Sequence, residues 1–102
     1  MSTRERIAEL LERSSEPLSA EEIAALLGLD RSRVREVYEH LAHIAKTVRR
    51  SSGGRRALLM VPPRCRACGY VFRDLKKPRR PSKCPRCGSQ RIEPPRFAIG
   101  ET

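Results

Sequence analysis

Cys65-Arg66-Ala67-Cys68-Gly69 and Cys84-Pro85-Arg86-Cys87-Gly88 contain all four cysteines of the chain. Fifteen residues, Gly69 to Lys83, separate the pairs, so the pattern is C-x2-C-x15-C-x2-C, a spacing typical of four-thiolate zinc sites. Two residues between thiolates let one tight turn present both sulfurs to a tetrahedral ion at about 2.3 Å. A glycine follows each pair, where such a turn favours a residue free to take positive φ. Disulfides fit this pattern poorly. Short secreted scaffolds are denser in cysteine, and the chain opens without a signal-peptide pattern.

Short strands and loops surround the cysteines. Pro62-Pro63 makes a rigid link into the unit, and Tyr70-Val71-Phe72 reads as a short strand. Arg73 to Lys83 reads as a loop that carries Lys76, Lys77, Arg79, Arg80 and Lys83. Gln90 to Glu93 and Arg96 to Ile99 read as further strands around Pro94-Pro95. Two cysteine turns on short strands make a small all-β zinc ribbon over residues 64–102, with Cys65, Cys68, Cys84 and Cys87 holding one structural Zn2+. So few apolar side chains cannot hold a fold alone, and metal binding must supply much of the stability. Stripping the metal is expected to unfold Arg64 to Ile99 and leave the N-terminal half largely intact.

Residues 1–63 read differently. Ser2 and Glu5 form a capping box, and Ile7, Leu10 and Leu11 follow at helical spacing, which predicts a first helix from about Thr3 to Glu12. Ser19 and Glu22 repeat the box after Pro17. They predict a second helix over Ala20 to Leu27 that stops at Gly28. Asp30 is the expected cap of a third helix, whose apolar stripe of Val34, Val37, Tyr38, Leu41, Ile44 and Ala45 runs to about Lys46. Ile23, Ala24, Leu27, Gly28, Leu29, Val34 and Val37 fall where a helix-turn-helix wants apolar or small side chains. Two strands, Thr47 to Arg50 and Arg55 to Val61, joined by Ser51-Ser52-Gly53-Gly54, would add a hairpin wing. The expected fold class is α+β: a winged helix-turn-helix domain followed by the zinc ribbon.

Charge divides the same way. Met1 to Ala45 holds six basic and nine acidic residues, whereas Lys46 to Thr102 holds sixteen basic and three acidic, within an overall +10. Four thiolates around Zn2+ carry −2 and would bring the total to +8, still strongly basic. A polyanion, double-stranded DNA above all, is the natural partner. Phosphate contacts are expected from Arg49, Arg50, Arg55 and Arg56 on the wing and from Lys76, Lys77, Arg79, Arg80 and Lys83 on the ribbon loop. Base readout would fall to Arg31, Ser32 and Arg35 at the start of the third helix. Farther along, Glu36 and Glu39 put carboxylates on that face, where phosphates would repel them. His40 and His43 nearby form no H-E-x-x-H pattern and read as solvated helix residues.

No nucleophile-base pairing or phosphate-binding glycine loop is recognisable, and a closed four-cysteine site leaves no coordination position for water, so the protein is expected not to be an enzyme. No small-molecule substrate is expected. The longest apolar run is Ala57 to Val61, far short of the roughly 20 residues of a spanning helix. No membrane contact and a cytoplasmic location are therefore expected. The alternative function is a zinc-ribbon adaptor that binds protein or RNA in a transcription or RNA-processing complex, with a protein partner docking on the ribbon or the third helix.

Two resemblances accompany this reading. Cys65 to Tyr70 and Cys84 to Gly88 resemble the two metal loops of rubredoxin, an iron protein. The interval between the loops is shorter here and that family's aromatic core is missing, which favours zinc over iron. The order of parts, from the first helix through His43-Ile44-Ala45-Lys46, the wing, the Cys65 pair, and Cys84 to Phe97, resembles a family of small archaeal predicted transcriptional regulators. In that family a winged helix is fused to a rubredoxin-like zinc ribbon. The resemblance implies a DNA-binding regulator with the four cysteines as metal ligands.

Overall fold

Both capping boxes form and set where the first two helices begin. The computed structural model describes residues 1–102. In it Ser2 Oγ accepts from the Glu5 N–H at 3.2 Å and Glu5 Oε1 accepts from the Ser2 N–H at 3.3 Å, starting α1, Thr3–Arg13. Ser19 and Glu22 repeat this at 3.1 and 3.0 Å and start α2, Ala20–Leu26, directly after the two-residue strand β1, Leu18–Ser19. Gly28 takes a φ of 70°, which lets the Leu29 N–H return to the Ala24 carbonyl at 2.8 Å and ends α2 in the left-handed cap its glycine implied.

The next helix departs from expectation at both ends. Asp30 makes no side-chain cap; it accepts from Ser32 Oγ instead. A single 3-10 turn, Arg31–Arg33, precedes α3, which runs Val34–Ser51. Thr47 to Arg50 is therefore helix and not the first strand of a hairpin. Thr47 and Val48 are β-branched, a weak local preference for strand. Tertiary packing overrides that preference: Val48 continues the α3 stripe against the core, and Thr47 Oγ1 donates to the His43 carbonyl at 3.1 Å within the helix. Ser51 to Gly54 is the helix end. The Gly54 N–H reaches the Arg49 carbonyl at 2.9 Å, with Gly53 and Gly54 at φ 64° and 84°.

Arg56–Val61 then forms β2, whose partner comes from the far end of the chain. β2 pairs antiparallel with Arg96–Glu101 over its whole length, from Arg56 opposite Glu101 to Val61 opposite Arg96. Between them lie the two short strands of the ribbon, β3 (Arg64–Cys65) and β4 (Ile92–Glu93), paired with each other, so Arg96–Glu101 is β5. The larger sheet has the order β1-β5-β2. Tyr70 to Phe72 forms no strand beyond one bridge from Val71 to Arg64.

One face of this sheet closes the helical core. Ile7, Leu11, Ile23, Val37, Leu41 and Phe97 are fully or almost fully buried together, with Leu18, Leu58, Met60 and Ile99 packed against them. Alternation along β2 and β5 leaves Leu59 and Val61 exposed on the other face. Sequence position divides the chain near residue 63, but in space the last strand belongs to the sheet of the helical half. The ribbon leaves that sheet through Pro62-Pro63 and returns through Pro94-Pro95, with Pro63 and Pro95 both fully buried. Fixed φ at these prolines makes the neck stiff. The result is a small α+β molecule with a four-cysteine ribbon projecting from one sheet, and no helix is long and apolar enough to cross a membrane.

Candidate metal centre and basic surface

The two cysteine turns are built alike. In the first, the Gly69 N–H donates to the Cys65 carbonyl at 2.9 Å and the Cys65 N–H to the Tyr70 carbonyl at 2.8 Å. In the second, Gly88 and Cys84 make the same two bonds, to Cys84 and Ser89, at 2.9 and 2.8 Å. Gly69 and Gly88 sit at φ 81° and 78°, the left-handed region that the sequence position required. The first cysteine of each pair is buried and the second exposed.

These turns bring four sulfurs together. Cys65 Sγ lies 3.6 Å from Cys87 Sγ and Cys68 Sγ lies 3.7 Å from Cys84 Sγ, and all four fall within 4.8 Å of one another. A tetrahedron with metal–sulfur bonds of about 2.3 Å has sulfur–sulfur edges of about 3.8 Å, so the thiols already stand where one ion would hold them. Their electrostatics agree. The Cys68 N–H, against desolvation and with help from the Ala67 N–H, draws the Cys65 thiol down to about 6. At Cys87 the Ser89 N–H pulls down, but desolvation and the Cys65, Cys68 and Cys84 sulfurs push the thiol up to about 12. The first thiolate forms readily and the last is resisted by its neighbours, a conflict that a divalent cation at the centre removes. With four protein ligands the site is closed, so the quartet holds one structural Zn2+ with no position for a reacting water.

The predicted cations are not equally free. Arg31 and Arg35 are exposed and unpaired at the start of α3, whereas Ser32 is engaged with Asp30. Arg49 and Arg50 ride the last turn of α3 and not a hairpin shoulder. Arg55 Nε donates to the Ser52 carbonyl at 3.2 Å, and Arg56 is paired with Glu12. In the ribbon loop Lys76, Lys77, Arg79 and Lys83 are exposed, and none has a carboxylate within ion-pair distance. Arg80 is different. It donates to the Ile92 carbonyl at 3.0 Å and lies 3.8 Å from Glu21, joining the ribbon to α2. Arg33, in the turn before α3, and His40 on α3 both bind Glu36, at 2.8 and 3.1 Å, and hold its carboxyl down to about 2. Glu39 is left as the exposed carboxylate of that face.

Two hollows lie beside the ribbon, and neither was readable from local pattern. A cleft of about 700 Å3 separates α3 from the ribbon loop, with Arg35, Tyr38 and Glu39 on one wall and Lys77, Pro78 and Arg79 on the other. On a second side, Arg64, Arg66 and Arg96 edge a hollow of about 520 Å3. One signal for these arginines was present: Pro-Pro-Arg occurs at both ends of the ribbon, at 62–64 and 94–96.

The comparisons with known proteins fit this architecture. Residues 2–56 match the model of a family described as PF0610-like, N-terminal, and residues 62–102 match the PF0610 rubredoxin-like zinc beta-ribbon domain. The solution NMR structure of protein PF0610 from Pyrococcus furiosus is similar over 98% of this chain and 90% of that one, with 34% identity and a TM-score of 0.76. No match was found among curated protein sequences. The chain thus belongs to the PF0610-like family, in which an N-terminal PF0610-like domain is joined to a rubredoxin-like zinc ribbon.

Proposed function

We propose that the chain is a non-enzymatic DNA-binding regulator of transcription whose phosphate contacts come chiefly from the ribbon. One observation carries this reading: the ribbon, with its unpaired Lys76, Lys77, Arg79 and Lys83, is the connection between two paired strands, β2 and β5. The order α1-β1-α2-α3-β2, closed by a sheet of order β1-β5-β2, supports a winged-helix reading, in which the β2-β5 hairpin after the third helix is the wing. The zinc ribbon then stands at the tip of the wing, and the buried Pro63 and Pro95 hold it at a fixed angle. Metal binding serves to keep the cationic loop in shape. Arg31 and Arg35, the free donors at the start of α3, supply base readout, and Glu39 holds the rest of that helix away from phosphate.

Affinity for duplex DNA should fall with log salt by about 0.9 per phosphate contact. Replacing both Lys77 and Arg79 by Glu should weaken binding across all sequences and lower the slope by at least about two, one per lost contact. Arg35→Ala should change sequence preference more than affinity. A second reading, an adaptor for a protein or RNA in a larger complex, draws on the outward Leu59 and Val61, which are 44% and 48% exposed on the open sheet face. No duplex binding at low salt would leave the adaptor reading alone standing.

A further inference from the structure

The cleft between α3 and the ribbon loop has features that neither a structural seam nor a duplex backbone requires. Its volume of about 700 Å3 falls in the range of small-ligand sites, about 300–1,000 Å3. Cations stand on both rims, Arg35 on the helix and Lys77 and Arg79 on the loop, and none of the three is paired within the protein. Val34, Ala42 and Pro78 give the walls an apolar part. Two groups of the lining lack partners while shielded from water: Glu21 Oε1, an acceptor, and the Tyr38 hydroxyl, a donor. A buried polar atom without a partner is destabilising, so a ligand edge that offers one donor and one acceptor would be favoured there. Arg80 lies 3.8 Å from Glu21 and donates to the Ile92 carbonyl at 3.0 Å, so a ligand that reaches these atoms must displace its guanidinium.

An anionic group for the rim, a flat body for the walls and a donor-acceptor edge for the floor are the three parts of a nucleotide. We propose that this cleft binds a single unpaired nucleotide, its phosphate among Arg35, Lys77 and Arg79 and its base edge against Glu21 and Tyr38. The same chemistry comes from a free nucleotide or from one unstacked unit of a single strand. The proposal rests on the reading that ribbon-loop cations meet phosphate, and adds a base to it. A bound nucleotide would touch α2, α3 and the ribbon loop at once and so tie the ribbon to the helices.

The test is an amide-shift and calorimetric titration of the zinc-loaded full chain with AMP, CMP, inorganic phosphate, a single-stranded hexanucleotide and a duplex. Either nucleotide should give saturable shifts at Glu21, along Val34 to Ala42 and at Lys77 to Arg80, with phosphate binding about tenfold or more weakly, a difference of about 1.4 kcal/mol. Tyr38→Phe, which keeps the ring and loses only the hydroxyl, should lower nucleotide affinity severalfold and leave phosphate affinity unchanged; Arg79→Ala should lower both. Tighter binding of the hexanucleotide at the same residues identifies a single strand as the source, and equal binding identifies the free nucleotide. Equal affinity for phosphate and nucleotide, or shifts that miss the cleft, would overturn the proposal. Failure of the duplex arm alone would count against the DNA-binding reading and not against the cleft.

Discussion

The helical half closes on nine buried residues from three helices and a sheet, whereas the ribbon closes on three, Cys65, Cys84 and Ile92, two of which are metal ligands. Tyr70 and Phe72, in edge contact at 5.0 Å, add the only aromatic cover the ribbon has. One half is held by apolar burial and the other by thiolates, yet the ribbon hangs from two strands of the helical half's sheet. The difference shows how a segment too small to fold alone can be kept at a defined angle. Its ends are the two strands of a hairpin already fixed by someone else's core, and its interior needs only an ion. The four thiols carry the ribbon's stability, and Phe97 carries its attachment.

Removing zinc should produce the largest effect. Structural zinc is worth about 10–16 kcal/mol in small zinc domains, far more than one buried isoleucine and two aromatics can replace. A chelator, or Cys84→Ser, should abolish amide protection from Arg64 to Pro95. It should leave Met60 and Phe97 protected, because they pair in the larger sheet. The boundary of unfolding thus lies at Pro95 and not at Ile99, where the linear pattern alone would put it. Phe97→Ala comes next. The side chain is fully buried in the helical core and meets Tyr38 edge-on at 6.2 Å, so its loss should cost about 3–5 kcal/mol. Although Phe97 follows the ribbon in sequence, denaturant unfolding of this variant should destabilise the helices while zinc content stays whole. Loss of zinc with unchanged helices would show that Phe97 serves the ribbon and not the helical core.

The smallest effect belongs to Glu36. Arg33, then His40, lower its folded-state value from the ordinary 4.5 to about 2. A lowered acid contributes stability above its unfolded value and loses it as pH falls through the folded one. Stability from this group should be intact above about pH 5 and should decline between 4.5 and 2, modestly because the pair is solvent-exposed. Glu36→Gln should flatten that part of the profile; an unchanged profile would show that the contact contributes nothing.

Local chemistry was legible in the sequence and long-range pairing was not. Ser2 with Glu5, Ser19 with Glu22, Gly28, and the cysteine spacing each state a contact between near neighbours, and each contact is present. Val48 was ambiguous, since a β-branched residue at the end of a helical stripe fits either element until the packing partner is known. The pairing of Arg56–Val61 with Arg96–Glu101 crosses the whole ribbon, and no spacing rule announces it. The Pro-Pro-Arg at each end of the ribbon marks the neck, but only once the two strands are seen side by side. The roles of Arg56 and Arg80 were hidden for the same reason: their partners, Glu12 and Glu21, lie far away in the chain.

The most direct test of the account is duplex DNA affinity measured across a salt series before and after zinc removal, with amide spectra recorded on the same samples. If the metal-held ribbon carries the phosphate contacts, chelation should collapse both affinity and salt slope while the helical half stays folded. Unchanged affinity with an unfolded ribbon would contradict it and assign the contacts to the helices.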